Sequence, residues 1–192
     1  MKLRLFEAAD RLLTREEQAQ LRKLRINSEA FYQDLLGFDR MIGGIGIYNI
    51  NKGEIGRYDV RDREILRPFQ YIDAYFQMDH KHIVWVTREI IHMCGLHLES
   101  MIKNMFSFSR MPLGQALTQW VVSNKLDKQL INDLKVIVGL YNDAKHRVNQ
   151  PKDTHLFDIS DSITCYITTR KISIRLIPMV KLYTPLDVWE GC

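Results

Sequence analysis

The chain has 192 residues, of which 46% are hydrophobic, and a formal net charge of +4 at pH 7. This length and composition predict one domain with a hydrophobic core and exclude a disordered polar segment. The mildly basic balance tolerates an anionic partner. It does not establish nucleic-acid binding, because solvated Lys and Arg side chains are the usual source of such a charge.

The sequence predicts neither a membrane span nor a signal peptide. No run of about eighteen apolar residues occurs, and the N-terminal stretch soon meets Glu7 and Asp10. The cysteines are odd in number and far apart, which fits reduced thiols better than a disulfide framework: Cys94, Cys165 and Cys192. We therefore expect a soluble, cytoplasmic protein.

The first predicted element is a helical region over residues 14–37. Thr14-Arg15-Glu16-Glu17 is a capping box, in which the Thr hydroxyl and the Glu carboxylate each accept a hydrogen bond from a backbone amide. A break is expected near Asn27-Ser28. Gly37 is the predicted C-terminus, because glycine adopts the left-handed conformation that ends many helices.

A glycine-rich segment over residues 38–64 follows. Two alternating stretches, 45–50 and 55–60, flank Asn51-Lys52-Gly53-Glu54 and predict a small hairpin, with a flexible, lid-like loop as the alternative. The run Gly43-Gly44-Ile45-Gly46 is not a phosphate-binding loop, because no buried strand precedes it and no Lys-Ser/Thr completes it.

The rest of the chain follows a helical pattern. A central helix is predicted from about Phe69 to Met105, with apolar residues at steps of three and four: Ile83, Ile90, Cys94, Leu98, Met101 and Met105. Pro112 opens a short helix through Leu117 and Val121. The next helix buries Leu130, Leu134, Val138 and Tyr141. A polar loop, 149–155, precedes a last helix capped by Asp158 or Ser160.

These elements predict an all-α fold, an antiparallel helical bundle with one glycine-rich insertion. The single domain covers residues 1–192, with a core bundle over residues 66–178. A tail, residues 179–192, contains Pro185 and leaves the bundle.

The most informative stretch lies at the end of the predicted helix that contains Tyr141. Gly139, Asn142 and His146 fall on one stripe of that helix, where a glycine permits close approach, and together they predict a small polar notch. The alternative is that His146 only complements the carbonyl end of the helix dipole, which needs no chemistry.

A metal site is the weaker interpretation of the central helix. Glu89 and His92 have the Glu-x-x-His spacing of di-iron bundles, but such sites need two of these motifs, and ion pairing explains one pair more simply. Asp79, His80 and His82 lie near this pair. Cys94 and His97 are three residues apart, but Cys94 is on the apolar stripe, where a thiol is usually inert. We expect no metal and no cofactor.

The stretch Asn142-x-x-Lys145-His146, followed by a polar loop and a helix that opens with Asp161, resembles the HEPN superfamily of helical bundles. The family motif is an Arg and a His separated by four to six residues, commonly with Asn after the Arg and Lys before the His. The helix order from about residue 70 to 177 is compatible with this family. Here Tyr141 stands where the family has Arg.

This resemblance implies metal-independent RNA cleavage, with His as acid or base and Arg stabilising phosphate charge. In this chain His146 and Asn142 are the candidate catalytic residues. The phosphate charge still needs a cation, and the candidate ligand-binding residues that supply one are Lys145, Arg147 and Arg170.

Three hypotheses about function remain open. The first is a HEPN-like protein of uncertain or lost catalytic activity that binds RNA or a nucleotide through the notch. The second is an endoribonuclease of toxin or defence type, and the third is a structural or regulatory protein in which Asn142 and His146 satisfy buried groups. The resemblance also implies a homodimer, for which adaptable side chains are available: Met93, Met101, Met105 and Phe106. The alternative is that these methionines only fill the core.

Overall fold

The computed structural model describes residues 2–26, 28–43, 60–108, 110–147 and 156–181, apart from the side chains of 60, 61 and 80. These residues form α helices joined by short turns, and none of them is in a β-strand. The all-α prediction is confirmed. No helix in the described part is both long enough and apolar enough to span a membrane.

The N-terminal region contains three helices: α1 (Lys2–Leu12), α2 (Arg15–Leu21) and α3 (Phe31–Met41). The sequence analysis did not predict α1, which buries one face. The capping box is confirmed, because Thr14 Oγ1 accepts from the Glu17 amide at 3.2 Å and Glu17 Oε2 accepts from the Thr14 amide at 2.7 Å.

The predicted end of this region at Gly37 is wrong. Gly37 lies inside α3, which continues one turn further, and the left-handed glycine is Gly43, with φ of 82°. The predicted hairpin lies outside the described residues, except that its last residue, Val60, begins helix α4 (Val60–Phe76). The described ends of the segment 38–64 are therefore mostly helical.

The predicted central helix is two helices, α4 and α5 (His80–Phe106). The break is at residues 77–79, where the Asp79 carboxylate accepts from the Lys81 amide at 3.0 Å and caps α5. A connection this short makes the two helices antiparallel neighbours. The apolar positions predicted on this stretch are buried as far as Met101, and Met105 is half-buried.

Two short helices replace the one predicted after Pro112: α6 (Leu113–Ala116) and α7 (Trp120–Lys125). Helix α8 (Lys128–His146) is capped by Asp127, whose carboxylate accepts from the Leu130 amide at 2.8 Å. Its predicted buried stripe is confirmed. Asp158 caps α9 (Ile159–Leu176), and a 3₁₀ turn that includes Pro178 follows.

Helix α5 is the centre of the bundle, in contact with α4, α8 and α9, and α1 packs against α9. Thirteen of the eighteen residues of α9 are buried, including polar ones. The outer side of α5, away from α9, is only half-buried. This outer side positions the candidate site.

Candidate functional site

The terminal turn of α8 carries four exposed polar side chains: Asn142, Lys145, His146 and Arg147. Asn142 and His146 are four residues apart and therefore share one face of the helix. Their exposure gives no support to the hypothesis that they satisfy buried groups. The structure brings together four of the five predicted site residues at one end of the bundle.

Tyr141, the residue directly before Asn142, points into the bundle and is buried. Its hydroxyl donates to Glu99 Oε2 at 3.1 Å, and its ring stacks on His92 with centroids 5.4 Å apart. Burial, and then the negative charge of Glu99, raise the pKa of the Tyr141 hydroxyl. This position therefore supplies a neutral buried group instead of a cation.

Gly95 of α5 makes room for the Tyr141 ring. A Cβ atom at residue 95 would lie 2.2 Å from Tyr141 Cγ, far inside van der Waals contact. The sequence analysis missed this role of Gly95. A glycine within a long helix was the available signal, because it costs about 1 kcal/mol relative to Ala unless close packing requires it.

The cations near the terminal turn differ in how they are held. Arg147 Nε pairs with Asp143 at 3.0 Å, although 62% of the Arg147 side chain is exposed. Lys145 Nζ lies 5.7 Å from the centroid of the Tyr141 ring. Arg88 of α5, which the sequence analysis did not single out, donates through Nε to the Ala144 carbonyl at 2.5 Å and so caps the end of α8.

Arg170 is not part of this site, which corrects the prediction that it binds the ligand. Its side chain has no exposed surface, and Nε and Nη2 donate to the two carboxylate oxygens of Asp39 at 2.6 and 3.0 Å. The guanidinium also lies 5.3 Å from the centroid of the Phe69 ring. Because Arg170 faces the core from α9, it holds α3 in place and contacts no solvent.

The Glu89 and His92 pair is a weak surface contact, with His92 Nδ1 3.8 Å from Glu89 Oε2. His92 instead stacks on Tyr141. Across the described residues, no three His, Cys, Asp or Glu side chains converge in a way that could hold a metal ion. The structure therefore gives His92 a packing role against Tyr141.

His97 is also a structural residue, completely buried between α4 and α9. Its Nδ1 lies 2.7 Å from the Ile65 carbonyl oxygen and its Nε2 lies 2.7 Å from Ser173 Oγ. Burial lowers the pKa of His97 to about 3, so the ring is neutral at pH 7. Cys94, the other half of the pair considered from the sequence, is a buried free thiol.

Comparison with known proteins adds no relative. No family model matches the chain, and neither the curated proteins nor the solved structures give a significant match. The HEPN resemblance therefore rests on the residues of α8 and on the order of the helices.

Proposed function

We propose that the chain is a HEPN-like helical protein that binds RNA or a nucleotide through the terminal turn of α8. The observation that carries the proposal is the exposure of Asn142, Lys145, His146 and Arg147 on one turn, beside a buried Tyr141. Lys, Arg and Asn side chains are the groups that usually contact phosphate oxygens. The net charge of +4 has the sign that such a ligand requires.

The end of a helix presents carbonyl groups, whose partial negative charge disfavours an anion. Three cations offset this charge in the described structure. Arg88 binds one of the last carbonyl oxygens directly, and Lys145 and Arg147 extend from the last turn. A phosphate on this surface would meet the side chains before the carbonyls.

Catalytic activity is absent or weak under this proposal. A phosphorane carries extra negative charge, and a cation placed against it is worth several kcal/mol in the transition state. At the position where the family has Arg, this chain has the Tyr141 hydroxyl bound to the Glu99 carboxylate. The alternative, a metal-independent endoribonuclease, requires Lys145 or Arg147 to supply the charge while His146 transfers protons.

A homodimer is part of the proposal, because the resemblance implies two motifs that face each other. With Arg170 in the core, Arg147 is the remaining candidate for a cation supplied across the dimer. Met101 is buried and unsuited to the contact, whereas Met93, Met105 and Phe106 are half-buried. Light scattering at micromolar concentration should give twice the chain mass of 22.7 kDa.

A cytoplasmic location also belongs to the proposal, and the free thiols of Cys94 and Cys165 support it.

A titration with single-stranded RNA at low ionic strength tests the proposal. The variant Asn142→Ala/Lys145→Gln should bind at least about tenfold more weakly, since each lost polar contact contributes about 0.5–1.5 kcal/mol or more. Lys135→Gln is the matched control, because Lys135 is an exposed lysine on the same helix. Equal affinity in the double variant and the control would refute the proposal.

A cleavage assay in EDTA separates binding from catalysis. We expect no cleavage above the buffer rate. Cleavage that survives the chelator and disappears in His146→Ala would establish the endoribonuclease instead. The melting temperature of His146→Ala should stay unchanged, because the side chain is exposed; a large decrease would favour the structural hypothesis.

A further inference from the structure

A second surface, the groove between α4 and α5, has the size and chemistry of a ligand site. Its volume is about 500 Å³, within the range of roughly 300–1,000 Å³ typical of small-molecule sites. The residues that line it lie within 63–71 of α4 and 93–100 of α5. None of them belongs to the terminal turn of α8, so this groove and the proposed function stand on different residues.

Two arginines form the wall contributed by α4. Arg63 and Arg67 are one turn apart and line the same groove. Neither forms an ion pair with any residue of the described part, and Arg63 Nε is buried without a hydrogen-bond acceptor. An unsatisfied buried donor is rare in folded proteins, and a charged one is costly. Because Nε is enclosed by protein, an anion in the groove would bind the outer guanidinium nitrogens of the two arginines that line it.

The same face of α4 continues into an aromatic residue. Tyr71 is one turn beyond Arg67 and 48% exposed, and it lines the groove opposite Met93 and Leu96 of α5. An exposed aromatic ring beside aliphatic side chains is a surface on which a planar base can stack. The anion-binding groups and the stacking group therefore follow one another along one helix.

The remaining polar residues distinguish a nucleotide from a bare anion. Glu64 lines the groove between the two arginines, and Ser100 lines it from α5. A carboxylate repels a free phosphate, but it accepts hydrogen bonds from ribose hydroxyls, as acidic residues do in dinucleotide sites. A ligand that carries phosphate, hydroxyl groups and a planar base has a partner for each of these side chains.

We infer that the α4–α5 groove binds a nucleotide unit, with its phosphate on Arg63 and Arg67, its base against Tyr71 and Met93, and its ribose toward Glu64. The unit is either a free nucleotide or one residue of an RNA strand, since both present the same groups.

Calorimetric titration of the full chain with AMP, adenosine and inorganic phosphate tests this inference. AMP should bind at least tenfold more tightly than either fragment, because only AMP contacts both ends of the groove. Arg67→Gln and Tyr71→Ala should each weaken AMP binding by about tenfold or more, the effect of losing a charge-assisted hydrogen bond or a stacking contact. Both residues are exposed, so the variants should keep the wild-type melting temperature.

Arg175→Gln is the matched control, because Arg175 is an exposed arginine on α9 that does not line the groove. Competition of an oligoadenylate with AMP would identify the RNA strand as the source, and AMP binding without competition would identify a free nucleotide. Absence of AMP binding at millimolar concentration, or equal binding by Arg67→Gln and Arg175→Gln, would overturn the inference. A doubled mass that Tyr71→Ala abolishes, without AMP binding, would assign the groove to a second copy.

The proposed function at α8 and the inference for the α4–α5 groove can be refuted separately. Lys145→Gln should weaken RNA binding and leave AMP affinity unchanged. If AMP does not bind while Lys145→Gln still weakens RNA binding, this inference is wrong and the proposed function stands. If AMP binds and no α8 variant changes the affinity for RNA, the proposed function is wrong and this inference stands.

Discussion

Polar side chains have different surroundings on the two sides of α5. On the buried side, against α9, Arg170 binds both oxygens of Asp39 and His97 has a partner at each ring nitrogen. On the outer side, Arg67 and Tyr71 of the α4–α5 groove and the polar side chains at the end of α8 face solvent. Buried polar groups that pair with one another stabilise the fold, and we assign ligand binding to the exposed polar groups.

The variant with the largest expected effect is Asp39→Ala. It removes the carboxylate that pairs with Arg170 and leaves the guanidinium charge buried. Breaking a buried ion pair from one side costs about 3–5 kcal/mol, and urea unfolding should show a loss of this size. Asp34→Ala is the control on the same helix, where Asp34 pairs with Arg25 on the surface. It should have little effect. Equal losses in the two variants would contradict the core role of Arg170.

The pH dependence of stability tests the neutral state of His97. Its folded pKa of about 3 lies below the ordinary value of 6.5, so the unfolded state binds the proton more readily. Above pH 6.5 the His97 proton does not affect the free energy of unfolding. Below that pH the free energy of unfolding falls by about 1.4 kcal/mol per pH unit, until the pH reaches about 3. We therefore expect the free energy of unfolding, measured across pH 4–7, to decrease with pH more steeply in the wild type than in His97→Gln, by this slope. Parallel curves would mean that His97 is not held neutral.

The contact between Gly95 and Tyr141 is tested by Gly95→Ala. Ala is normally the better helix residue, but here its Cβ would overlap the tyrosine ring, and overpacking costs about 1–3 kcal/mol. Gly37→Ala makes the same change inside α3 with nothing within 4 Å. It should stabilise the protein by about 0.5–1 kcal/mol. Opposite signs for the two variants confirm the close packing, and the same sign would refute it.

The sequence predicted best what depends on neighbouring residues. The helix caps at Thr14 and Asp158 are confirmed. They were predictable because each hydrogen bond joins residues that are only three apart in the sequence. The break at residues 77–79 was missed, because a three-residue turn between two helices interrupts the periodicity too briefly to be recognised.

Long-range contacts were not predictable from the sequence. Arg170 was one of three cations assigned to the phosphate charge, but its partner Asp39 is 131 residues away in the chain and no local pattern indicates this pair. The contacts of Tyr141 with Glu99 and Gly95 also cross between helices. The exposed residues at the end of α8 were identified from local spacing, but the groove that contains Arg63 was not, since it requires the packing of α4 on α5.

The salt dependence of RNA binding tests the central claim, that the exposed cations at the end of α8 contact phosphate. The affinity of the wild type should fall with salt, and each phosphate contact contributes about 0.7 to the slope of log K against log salt for a single strand. Lys145→Gln/Arg147→Gln should reduce that slope by about 1.4, the loss of two contacts, and Lys135→Gln should leave it unchanged. An unchanged slope in the double variant would contradict the account.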